Sequence, residues 1–284
     1  MSTDASAAVG AETVSPLRNR GFLSLMVYRI CTMLSYQIVA VTVGWHVYEV
    51  TRQPFALGLI GLAEVLPYFC VAPFAGYLVD HLPRRKLGMV ACLGLALTPL
   101  LLMVLTIGLL PIAGVWPIYV AIAFTGMVRA FLGPVYNALF ARVNCSRGAS
   151  LGSVVFQTGL VIGPALGGAL VGVAGKAAAY GTGAAIALLA VAALASMRVT
   201  EPPQLLQRAP IFASIGEGLR FVFGNQIMLG AMALDMFSVL LGGAMSMLPA
   251  FIHDILHYGP EGLGILRGAP ALGSILVALW LARH

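Results

Sequence analysis

Five charged side chains sit well away from the ends of long apolar runs in this 284-residue chain: Arg29, Glu64, Arg129, Asp235 and Arg267. A charge at the middle of such a run costs about 2.5–3.5 kcal/mol on membrane-insertion scales unless it is paired or hydrated. Residues that carry this cost are candidates for chemistry. A carboxylate removed from water is costlier charged than protonated, which suits Glu64 and Asp235 to proton carriage or to facing a substrate. The three arginines keep their charge and suit pairing with those carboxylates or contact with an anion. Structural ion pairs, for example of Glu64 or Asp235 with Arg29 or Arg267, fit equally well, and so does a structural pair of Arg129 with a helix end.

The runs that hold these residues define the class of protein. Hydrophobic residues make up 60% of the chain and charged residues 9%, against about 25% charged in a soluble domain. Mean hydropathy is +0.96. Eight apolar segments fall at about 23–49, 55–79, 87–111, 115–141, 149–174, 178–197, 227–251 and 260–282. Each is near the roughly 20 residues that a spanning helix needs, and none alternates as a barrel strand would. The fold class is therefore an all-α polytopic membrane bundle. The net charge of +6 is spread over loops, which disfavours nucleic acid. The four cysteines Cys31, Cys70, Cys92 and Cys145 have no CxxC spacing and read as apolar residues, with no metal site and no cofactor implied. Gly148-Ala-Ser150-Leu-Gly152 resembles a nucleophile elbow, but no strand precedes it. With no Walker loop and no HExxH, an enzyme is not expected.

Charge placement orients the bundle. With the N-terminus inside, eleven Lys or Arg fall in cytoplasmic segments and only Arg52 and Lys176 in outer loops. By the positive-inside rule both termini are cytoplasmic. The chain then divides into a disordered cytoplasmic tail (1–21), a six-helix half (22–198), a cytoplasmic linker (199–225) and two further spans (226–284). In the linker Ile211, Ile215, Leu219 and Val222 recur at helical spacing, predicting an amphipathic helix on the inner membrane surface.

Three local patterns carry more information. After span two the chain reads Gly76-Tyr-Leu-Val-Asp80-His-Leu-Pro-Arg84-Arg85-Lys86. Span four carries Arg129-Ala-Phe-Leu-Gly133-Pro134, and span five Gly159-x-x-x-Gly163-Pro164-Ala-Leu-Gly167-Gly168. Gly159, Gly163 and Gly167 recur every four residues, giving one smooth face that permits close helix approach.

Together these patterns resemble the major facilitator superfamily of transporters. Gly76, Asp80, Arg84 and Arg85 match its loop signature between helices two and three, with His81 where Arg is usual and Pro83 where Gly or Asp is usual. The resemblance implies that this motif acts as a cytoplasmic gate, weaker or pH-sensitive with His81. Arg129 and Gly133 match its helix-four pattern, tied to proton coupling, with Leu132 in place of Gln. Gly163, Pro164, Gly167 and Gly168 match the antiporter motif of helix five, which implies export and a flexing seam.

The six-plus-six repeat of such transporters has weak echoes here. At an offset of 203 Gly61 meets Gly264, Glu64 meets Arg267 and Pro67 meets Pro270; at 206 Arg29 meets Asp235. The family has twelve helices and eight are counted, so the expectation is an incomplete copy that lacks helices nine to twelve. The implied activity is secondary transport, proton-coupled efflux of a drug- or siderophore-like small molecule by alternating access across a bacterial inner membrane. Its partners would be that substrate, protons and the bilayer. The alternative is a non-transporting membrane remnant that only associates with other membrane chains.

Overall fold

The computed structural model describes residues 20–109, 114–142, 148–197, 211–241 and 247–283. Among them every regular element is a helix: α1 Arg20–Thr51, α2 Pro54–His81, α3 Arg84–Thr106, α4 Trp116–Phe140, α5 Gly148–Ser196, α6 Ile211–Gly224, α7 Gln226–Leu241, α8 Leu248–Asp254 and α9 Pro260–Arg283. Five of these, α1 to α5, are long and apolar enough to cross a membrane. Residues 1–19 of the predicted tail, residue 198 of the six-helix half and residues 199–210 of the linker lie outside the described residues.

Prolines set several starts. Pro54 opens α2 directly after Gln53, and α4 and α8 also carry Pro in their first two positions, where no backbone N–H is needed. Prolines also lie inside α2, α3, α4, α5 and α9, as is common in membrane helices.

The fifth and sixth predicted spans are two helical arms joined by a sharp turn, labelled together as α5. α5 is 49 residues long, and the expected break near 174–178 is a single residue, Gly175, with φ 82° and ψ 171°. That positive φ suits glycine and few other residues. The chain reverses there. Gly159, Gly163 and Gly167 climb α1 beside Met33, Gln37 and Ile38, while Gly183 and then Ser196 descend it beside Val39 and Ser24. The predicted seventh span is described as two pieces, α7 and α8, with 242–246 outside the described residues. A helix, α6, lies where the linker helix was expected, though the side chains of Ile211, Ile215 and Leu219 lie outside the described residues; it meets α2 through an edge-to-face contact of Phe212 with Phe74.

Two apolar clusters hold the bundle at its two ends. Phe22, Leu25, Tyr28, Cys92, Leu139 and Leu194 pack at the end where α1 begins. Val43, Val47, Leu102, Ile118 and Tyr180 pack at the other. Many other apolar side chains face outward, such as Phe55, Phe69, Val120 and Val173. Lipid is as apolar as these residues, so in a bilayer association comes from close packing rather than from water exclusion.

The helix-five glycines provide that packing on two faces of α5. A Cβ on Gly167 would lie 3.0 Å from the Ile38 Cα of α1. A Cβ on Gly168 would lie 2.8 Å from the Gly264 Cα of α9. Both distances leave no room for a side chain, so α5 is clamped between α1 and α9.

Candidate functional site

The site lies where α1, α2 and α4 face α8 and α9. Gly126 lets α4 approach α2 so closely that any side chain there would overlap the Glu64 carbonyl. This approach brings Arg129 onto Glu64, and the two form a salt bridge with side chains 34% and 15% exposed. Arg129 Nη1 also donates to the Tyr36 hydroxyl at 2.9 Å. Its guanidinium lies 3.9 Å from the centre of the Tyr36 ring and 5.9 Å from that of Tyr68. Arg129 is thus held by a carboxylate, a hydroxyl and two aromatic rings.

Beside this pair is a cavity of about 420 Å³, within the usual range for small-molecule sites. Tyr36, Glu64, Thr125 and Arg267 give it polar points; Val39, Val43, Leu57, Ile60, Val65 and Ile122 are among the apolar residues that line the rest. Arg267 enters from α9. Its Nη1 is buried and has no hydrogen-bond partner.

The remaining sequence candidates sit elsewhere. Arg29 does not reach Glu64. Its guanidinium lies between the rings of Tyr136 and Phe156, 4.3 and 4.8 Å from their centres, and its Nε is buried without an acceptor. Asp235 is on α7, and its side chain is outside the described residues. Gly133 has open space where a Cβ would be.

In the loop motif Arg85 donates to the carbonyls of Leu194 and Ala195, which ties the start of α3 to the end of α5. Arg84 Nε reaches the Val79 carbonyl at 3.3 Å. His81 stacks on Tyr77 with ring centres 4.0 Å apart. Asp80 is exposed, and Gly76 faces open space. Asp80 makes no hydrogen bond or ion pair among the described residues.

The sequence reading did not single out Tyr36. It falls seven residues after Arg29, two helical turns along α1, and that spacing of polar residues in an apolar helix was the available signal. A polar cluster at the far end of α1 was also missed. Tyr48 donates to the Asp254 carboxylate, Arg52 Nη1 lies 2.7 Å from His253 Nε2, and Lys176 pairs with Glu49 at 3.1 Å. The hydrogen bonds from Tyr48 and His253 hold the Asp254 carboxyl below its ordinary range.

A bundle of apolar helices, with an ion pair beside an internal cavity and a glycine-lined seam, has the make-up of a helical membrane protein of the major facilitator type. Residues 11–284 match the family of transmembrane secretion effectors within that superfamily, and the chain belongs to this family. It is 26% identical over 274 residues to the enterobactin exporter EntS of Citrobacter koseri, covering 91% of this chain and 62% of that protein. It is also 26% identical over 280 residues to the multidrug efflux pump Tap of Mycolicibacterium fortuitum, covering 93% and 67%. The chain thus spans somewhat under two thirds of the length of the EntS relatives it matches.

Proposed function

We propose that this chain carries the cavity and coupling pair of a proton-coupled exporter of small molecules. It would work by alternating access in a bacterial inner membrane, with both termini cytoplasmic. The observation that carries this reading is the Glu64–Arg129 pair at the cavity wall. Protonating Glu64 would remove the charge that holds Arg129. The freed guanidinium would leave α2 and α4 joined by packing alone, and the cavity could reopen on its other side. Loss of the proton would restore the pair. Arg129 stays charged throughout, so the exchangeable proton belongs to Glu64, with Asp235 as a second candidate from its place on α7.

The names of both relatives support efflux, and the clamped glycine face of α5 is the antiporter motif of the resemblance. The six-helix half, linker helix and following spans remain the proposed division of the chain. In everted vesicles from cells expressing the gene, a panel of dyes and drugs tests the reading. At least one compound should accumulate when the lumen is acid, and a protonophore should abolish this. Arg129→Ala should abolish it too while the protein stays in the membrane.

The open face of α2 at Gly76 and Asp80 favours a second reading, a chain that only associates with other membrane chains. Co-purification with a fixed partner and no gradient-driven movement of any compound would support it.

A further inference from the structure

Arg267 differs from Arg129 in that its Nη1 has no hydrogen-bond partner, while Tyr36 and the already engaged Glu64 act on its charge only through space. α9 is held rigidly against α5: a Cβ on Gly264 would lie 2.6 Å from the Pro164 carbonyl oxygen, and one on Gly268 3.0 Å from that of Val161. Between these two contact points Arg267 projects into the cavity. Nη1 is buried there with no acceptor. The cavity's carboxylate, Glu64, is engaged by Arg129. Among the described residues the site therefore holds one carboxylate and two guanidiniums, an excess of one positive charge in an apolar surround.

A guanidinium cannot discharge itself by losing a proton, and a buried, unpaired charge is costly. An incoming anion removes both problems, and a carboxylate matches the planar donor fork. The wall of Val39, Val43, Leu57, Ile60, Val65 and Ile122 would cover an apolar body attached to that anion. We propose that Arg267 is the seat for the anionic group of the substrate, and that the substrate class is amphipathic organic anions with one carboxylate or similar group. This rests on the export reading, since it names what the exporter's cavity accepts. Neutral and cationic compounds of the same shape leave the charge unanswered and bind more weakly. A free inorganic anion satisfies Arg267 but not the apolar wall.

The test is calorimetric titration of the purified 284-residue chain in a neutral detergent, with no gradient and no transport step. The probes are 2-naphthoate, its neutral analogue 2-naphthamide, and inorganic phosphate. One charge-assisted contact is worth about tenfold or more in affinity. 2-Naphthoate should bind at least about tenfold more tightly than 2-naphthamide, and phosphate at equal concentration should not displace it. Arg267→Gln should remove the preference for the acid, Arg267→Lys should keep part of it, and Arg142→Gln, exposed in the turn after α4, should leave it intact. Equal affinity for acid and amide in the unmodified chain overturns the proposal without any variant. So does a preference that survives Arg267→Gln, or no binding of 2-naphthoate at millimolar concentration. Selective acid binding without gradient-driven transport would sink the export reading alone. Transport of neutral compounds without selective acid binding would sink this inference alone.

Discussion

Two arginines approach one cavity and are treated oppositely. Arg129, on α4, has a carboxylate, a hydroxyl and two rings around it. Arg267, on α9, has a buried Nη1 with no acceptor. The first is answered from within the protein and can serve as a latch. The second is left for something that comes and goes. The difference shows how the same residue type serves structure or recognition according to whether the fold supplies the counter-charge.

The comparison is most exposed in stability. Arg129→Ala leaves the half-buried Glu64 without its partner, and such an unsatisfied group should cost about 1–3 kcal/mol. Arg267→Met breaks no salt bridge and should leave thermal denaturation in detergent unchanged or raise its midpoint. Similar losses from both variants would end the distinction. The next effect concerns how Arg267 is positioned. Gly168→Leu drives a side chain into Gly264 of α9 and should cost about 1–3 kcal/mol by overpacking. Gly76→Leu meets open space and should stay within about 0.5 kcal/mol. Equal melting of the two variants would remove the clamp that aims Arg267.

Tyr36→Phe sharpens the Arg129 side. It keeps the ring under the guanidinium and deletes the hydroxyl acceptor, for a loss of about 1 kcal/mol. A larger loss, approaching that of Arg129→Ala, would mean that the hydroxyl and not Glu64 is the main anchor. The smallest effect lies at the far end of α1. The Asp254 carboxyl is held below its ordinary 3.8 by hydrogen bonds from Tyr48 and His253. Its contribution is therefore fully present above that ordinary value and is lost as pH falls through the lowered one. Hydrogen exchange of the 248–254 amides should stay flat down to about pH 4 and rise below it. In Asp254→Asn this step should vanish, and a step that persists would assign it to another group.

Much of this architecture was legible in the sequence, and the reasons are physical. Spanning length and apolarity are local properties, so the helices from α1 to α4 are readable from composition alone. The four-residue glycine spacing on α5 predicted a close-packed face because helical period fixes which residues share a side. The break between spans five and six was not legible as a single residue, because one glycine at positive φ reverses the chain without a polar loop. Partnership was the least legible. The repeat alignment set Glu64 opposite Arg267, yet Glu64 pairs with Arg129. Gly126 decides this by letting α4 close on α2, and which two helices touch at a glycine is a tertiary property. Arg29 likewise found Tyr136 and Phe156, aromatic partners that no charge pattern announces.

The central claim is that the Glu64–Arg129 pair couples proton entry to export. The most direct measurement is gradient-driven accumulation of the transported compound in everted vesicles, comparing the unmodified protein with Glu64→Gln. Glutamine keeps the size and hydrogen bonding of the protonated carboxyl but cannot exchange a proton. The account predicts that the unmodified protein accumulates the compound in proportion to the pH gradient, and that Glu64→Gln only equilibrates it, at a rate independent of the gradient. Gradient-driven accumulation by Glu64→Gln at the unmodified rate would contradict it.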